Sequence, residues 1–90
     1  MIPTDVVPAF RRGYRLQWEP VQHAHVVLYP EGMVKLNDSA AEILLQVNGE
    51  STAGAIVTAL QQKFPEAGDL TTDVMAFLEV AHDQQWLILR

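Results

Sequence analysis

Few of the side chains able to do chemistry are spaced to do it together. His23 and His25 stand two residues apart. On a strand that spacing puts both imidazoles on one face, where they could chelate a metal ion. No carboxylate or further histidine lies close by in sequence to complete a ligand set, so no metal site is expected. Asp38 and Ser39 are adjacent, but they precede a helical apolar pattern and read as caps, not as a base with its nucleophile. His82 reads as a groove or surface residue, not as a general base. With no nucleophile, base and orienting group to assemble, a hydrolase is disfavoured and no enzyme activity or cofactor is expected. The chain has no cysteine, which excludes disulfides, iron–sulfur clusters and thiolate zinc sites within it and fits a reducing cytoplasm. Arg11, Arg12 and Arg15 form the one basic cluster. They read as a solvated entry to the first strand, or as a contact for an acidic partner.

The elements around these residues follow from periodicity. The chain has 90 residues, so one domain is expected, with a marginal core and no cross-links. Residues 1–13 carry two prolines and read as an extended arm, whose Ile2, Val6, Val7 and Phe10 could dock on the domain or on another copy. Residues 14–90 read as the domain itself. Tyr14 to Trp18 alternates large apolar with polar residues, the pattern of a half-buried strand. His25 to Tyr29 is a continuous apolar run, suited to the middle of a sheet. Tyr29-Pro30-Glu31-Gly32 is turn chemistry, and Met33 to Leu36 is a very short third strand. A strand that short gives a small sheet an edge with unpaired N–H and C=O groups.

Three helices follow. The first carries Ala40, Ile43, Leu44 and Val47 at helical spacing; Ser39 and Glu42 have capping-box spacing, and Asn48-Gly49 marks its end. The second begins near Ser51-Thr52, places Ala53, Ile56, Val57, Leu60 and Phe64 on one face, and stops at Pro65. The third begins between Asp69 and Thr72 and runs to about Gln84. Its core stripe centres on Val74 with Leu70, Phe77, Leu78 and Ala81, while Met75 and His82 extend the arc on one side. That arc is wider than one core needs, so the helix reads either as wrapped by a small domain or dimer, or as a groove wall for an apolar partner. Trp86 to Leu89 closes the chain as an apolar strand or tail. The expected fold is α+β and winged-helix-like: a three-stranded antiparallel sheet followed by a three-helix bundle.

Charge separates the function classes. Six Lys and Arg stand against eleven Asp and Glu, a formal net charge of −5. The third helix has no Lys or Arg. A nucleic-acid partner is therefore disfavoured, since phosphate contacts need cations. No segment approaches the roughly 20 apolar residues of a membrane span, and the N-terminal residues lack the basic start and apolar run of a secretory signal. An edge strand and groove wall for an apolar partner, an acidic winged-helix DNA-binding module and a structural dimerisation module remain open.

The run Leu28-Tyr29-Pro30-Glu31-Gly32-Met33-Val34-Lys35-Leu36-Asn37, followed by Ser39-Ala40-Ala41-Glu42-Ile43-Leu44 and Asn48-Gly49-Glu50-Ser51-Thr52, resembles the pyrroloquinoline quinone biosynthesis protein D (PqqD) family. The resemblance continues through Asp73-Val74 and Phe77-Leu78 to Trp86-Leu87. It implies a small chaperone that recognises the leader of a ribosomally made precursor peptide. The family delivers that peptide to a radical S-adenosylmethionine enzyme, which cross-links a glutamate and a tyrosine. It also implies binding by strand addition, in the cleft between the third strand and the third helix. By position, the strand contributes Met33, Val34, Lys35 and Leu36. The helix wall is drawn from Val74, Met75, Phe77, Leu78, Ala81 and His82. Two positions depart from the family pattern. Asn48-Gly49 stands where an aspartate–glycine is common, and Gln85 precedes Trp86 where a glycine is usual.

Overall fold

Two hairpin turns and two side-chain helix caps shape the chain, described over residues 2–90 in a computed structural model. The strands are β1 (Pro8–Phe10), β2 (Arg15–Glu19), β3 (Ala24–Tyr29), β4 (Gly32–Lys35) and β5 (Leu87–Leu89). The helices are α1 (Asp38–Leu44), α2 (Ala53–Lys63) and α3 (Thr71–Asp83), with a 3-10 turn at Pro65–Ala67. Strands β2, β3 and β4 form an antiparallel sheet in that order, and the helices follow it, as the α+β reading expects. Tyr29 and Gly32 are register partners, so Pro30-Glu31 is the whole β3–β4 loop.

The first residues do more than trail from the domain. Pro8, Ala9 and Phe10 pair antiparallel with Leu89, Ile88 and Leu87 in a second, two-stranded sheet. Backbone bonds from Val7 N–H to Arg90 O and back, both 3.0 Å, extend it. The N–H groups at the start of α2 are taken up as well: Ala53 donates to Val6 O at 2.8 Å and Gly54 to Thr4 O at 2.9 Å. The apolar residues of this segment thus dock on the chain's own helices and C-terminal strand.

Caps differ in detail from the sequence pattern. Asn37, not Ser39, caps α1: its Oδ1 accepts the Ala40 N–H at 2.8 Å. This helix ends at Leu44, earlier than Asn48-Gly49 suggests. Gln46 and Val47 donate to Ile43 O and Leu44 O in a tightened final turn. Asn48 instead organises the next loop, its Oδ1 accepting from Glu50 and Ser51 N–H at 2.9 and 2.8 Å, while Gly49 supplies a φ of 77°. Thr52 caps α2 through the Ala55 N–H. Phe64 falls at the frayed end of α2, partly exposed, with the Lys63 ammonium 5.5 Å from its ring centre.

The helices pack on one face of the three-stranded sheet. Val27 and Leu36 enter from the sheet, Leu44, Ile56 and Leu60 from α1 and α2, and Leu87 from β5. No buried side-chain N or O among the described residues lacks a partner. No helix among them is long and apolar enough to cross a membrane.

Candidate functional site

β4 pairs with β3 on one side only, which leaves its other side an open edge. One hydrogen bond sets its parity. The Leu36 N–H donates to His25 O at 3.0 Å, so the backbone of Leu36 faces β3. In an antiparallel ladder the N–H and C=O of one residue point the same way, and successive residues alternate. Val34, opposite Val27, therefore faces inward. Met33 and Lys35 present their N–H and C=O groups to open space.

Side chains alternate across the sheet. Val34 shares a face with Val27, the helix side, where Leu36 is also buried in the core. Met33 and Lys35 project from the opposite face, and Met33 is 46% exposed. Its Sδ lies 3.7 Å from the Gln22 Nε2, which ties β4 loosely to the β2–β3 turn.

α3 supplies the core more fully than the sequence pattern suggests. Val74, Leu78 and Ala81 are buried as expected, but so is Met75, 1% exposed. Met75 therefore belongs to the core stripe and not beside it: the helix is wedged between α2 and β5, and both flanks of Val74 are covered. Phe77 is partly buried against the same cluster. His82 is exposed, with its Nδ1 3.8 Å from Asp83 Oδ1. The core thus brings Leu36 together with Val74, Met75, Leu78 and Ala81. Met33, Lys35 and His82 stay at the surface.

A recess of about 340 Å³ lies between the first turns of α1 and α3 and the last turn of α2. Ile43, Leu60, Phe64, Leu70 and Val74 line it, with Asp38, Glu42 and Asp73 on its rim. Glu42 is held there by Lys63 at 2.9 Å. Asp69, exposed beside this rim, accepts a hydrogen bond from the Thr71 side chain and from its N–H, at 2.9 Å. These bonds lower its carboxyl below the usual 3.8. Sequence reasoning missed this recess, because its walls come from three elements whose pairing no periodicity shows.

The two histidines do not form a chelate. His23 lies in the β2–β3 turn with φ 49°, while His25 sits on β3 with its ring edge-on to Trp18 at 5.1 Å. Among the described residues no three His, Asp or Glu side chains are placed to hold a metal ion.

Fold and site together define a sheet-edge module: a three-stranded sheet whose last strand is open, backed by three helices that fix its position. Comparison with known proteins narrows that class. Residues 24–87 match the family model described as coenzyme PQQ synthesis protein D (PqqD). A protein of Stutzerimonas stutzeri named PqqA binding protein is 58% identical over 84 residues, 93% of this chain and 91% of its own. A namesake from Klebsiella pneumoniae is 53% identical over 90 residues, 100% of this chain and 97% of its own. Among solved structures, the PqqD truncation of Methylobacterium extorquens PqqCD superposes with a TM-score of 0.73 at 31% identity. That match covers 94% of this chain and 90% of the other, which is described as a functional and stand-alone recognition element for a ribosomally synthesised and post-translationally modified peptide. The chain belongs to the PqqD family.

Proposed function

We propose that this chain is a non-catalytic adaptor of pyrroloquinoline quinone biosynthesis. It binds the leader of the precursor peptide by strand addition along β4 and presents the peptide to a radical S-adenosylmethionine enzyme. The observation that carries this reading is the open backbone of Met33 and Lys35, in a family whose members are named for binding PqqA. An extended leader satisfies those N–H and C=O groups as a fourth strand. Val34 lies on the helix side of the strand, and we assign Phe77 and His82 of α3 to the cleft it would share with the peptide. Leu36, Val74, Met75, Leu78 and Ala81 hold strand and helix at fixed separation from inside the core. Peptide and enzyme meet in the cytoplasm, where a ribosomally made peptide first becomes available.

Calorimetric titration of the chain with the precursor peptide and with a scrambled leader tests the reading. Saturable binding of the first and none of the second is expected, with amide shifts concentrated at Met33 and Lys35. Equal response to both peptides, or no response to either, overturns it.

A further inference from the structure

Arg11, Arg12 and Arg15 are half of the six cations in a chain of net charge −5. All three are exposed. Among the described residues none of their guanidinium groups has an ion-pair or hydrogen-bond partner, and Glu31 in the neighbouring β3–β4 loop pairs with none of them. Lys63, by contrast, is held by Glu42.

The backbone that carries these arginines is fixed. The Arg11 N–H donates to Trp86 O at 3.0 Å, the Tyr14 N–H donates to Arg11 O at 2.9 Å, and Gly13 turns the chain with φ 87°. The Tyr14 ring stacks on Tyr29, with centres 5.7 Å apart and planes 14° from parallel. Beside the stack, Gly13, Tyr14, Arg15, Leu28, Tyr29 and Pro30 line a groove of about 450 Å³. This turn is ordered by folding, so a partner need not order it.

The patch lies away from the strand assigned to the peptide. Arg15 is the register partner of Leu28, and Leu28 of Met33, so two ladders separate it from β4. At the usual strand spacing that is roughly 10 Å, on the far side from the open edge of β4. A peptide strand on β4 therefore leaves the arginines uncovered. Nucleic acid is a poor occupant, since three cations on a chain of net −5 neutralise few phosphates. Carboxylates of a protein segment match guanidinium forks in both sign and shape.

We propose that Arg11, Arg12 and Arg15, with the groove beside Tyr14 and Tyr29, are the surface by which the chain docks on its partner enzyme, through an acidic segment of that enzyme. The inference rests on the adaptor reading, in which peptide and enzyme are held at once and so need separate faces. Carboxylates of the segment take the guanidinium groups, and an apolar side chain beside them enters the groove. On a molecule whose net charge repels other acidic surfaces, one basic patch also sets the orientation of approach.

Calorimetric titration of the chain with the enzyme, and separately with the precursor peptide, tests this. The pair Arg11→Glu and Arg12→Glu should weaken enzyme binding about tenfold, and so should Arg15→Glu. Arg11→Lys with Arg12→Lys should keep most of it, and the affinity of the unaltered chain should fall as salt rises. Precursor-peptide affinity should be the same in every variant. Thermal melts check folding, and Arg12→Glu alone carries the test if the double variant does not fold. Enzyme binding that is absent, or indifferent to the reversals, overturns the proposal while peptide binding upholds the adaptor's peptide site. Loss of peptide affinity in the same variants also overturns it, since that assigns the patch to the peptide. Enzyme binding that the reversals weaken, with no peptide binding at all, sinks the peptide reading and leaves the docking surface standing.

Discussion

Met75 and His82 are neighbours on the helical wheel with opposite fates. Met75 is 1% exposed inside the core, so Met75→Ala should cost about 2–5 kcal/mol by transfer and cavity terms together. Phe77, only partly buried, should cost less when truncated. His82→Ala should stay within about 0.5 kcal/mol, as an exposed substitution does. Chemical denaturation of the three variants checks this ranking. Gln85 carries a different kind of strain. It ends α3 with φ 70°, a left-handed conformation that a side chain opposes. Gln85→Gly should therefore raise stability by up to about 1 kcal/mol, read as a higher melting temperature. Asp69 adds a pH dependence. Its folded-state carboxyl lies below 3.8, so its contribution is complete above that value and lost as pH falls through the lowered one. Asp69→Asn should melt earlier than the unaltered chain at neutral pH, and the gap should close in strong acid.

β4 is the element on which the proposed function turns, and proline substitution reads its two sides separately. Met33→Pro and Lys35→Pro remove N–H groups that only an incoming strand would use; these variants should stay folded and lose leader affinity. Val34→Pro removes a bond to β3, and Leu36→Pro removes the donor to His25 O; both should melt earlier. Normal leader binding by folded Met33→Pro and Lys35→Pro would exclude addition to this strand. Which parity faced out was not legible in the sequence, because alternation alone does not say which neighbour a strand has on each side. The sheet order and the sequence of three helices were legible, since Tyr29-Pro30-Glu31-Gly32 and the run to Pro65 are local signals. What escaped were tertiary facts. Burial of Met75 depends on β5 covering a flank of α3, and the choice of Asn37 over Ser39 as cap depends on how β4 delivers the chain to α1. The pairing of Pro8–Phe10 with Leu87–Leu89 joins segments nearly the whole chain apart, beyond any window of periodicity.

In the proposed role the whole molecule acts as a carrier. An adaptor raises the local concentration of the peptide at the enzyme without doing chemistry. The cross-linking rate at limiting peptide should therefore fall sharply when the chain is omitted; equal rates would exclude delivery. The net charge of −5 and the cation-free α3 predict no duplex DNA binding above the non-specific level, checked by mobility shift at physiological salt. The small sheet that ties Val7–Phe10 to Trp86–Arg90 has a bearing on how the molecule comes to exist. Leu87, fully buried, is synthesised long after its partner Phe10 on β1. No nascent piece that stops short of β5 holds both, so the loop that must close runs from β1 to β5. Completion of the fold is thereby postponed until β5 has been synthesised. Until then the exposed strands and the apolar N-terminal segment remain open to chaperones and to other nascent chains.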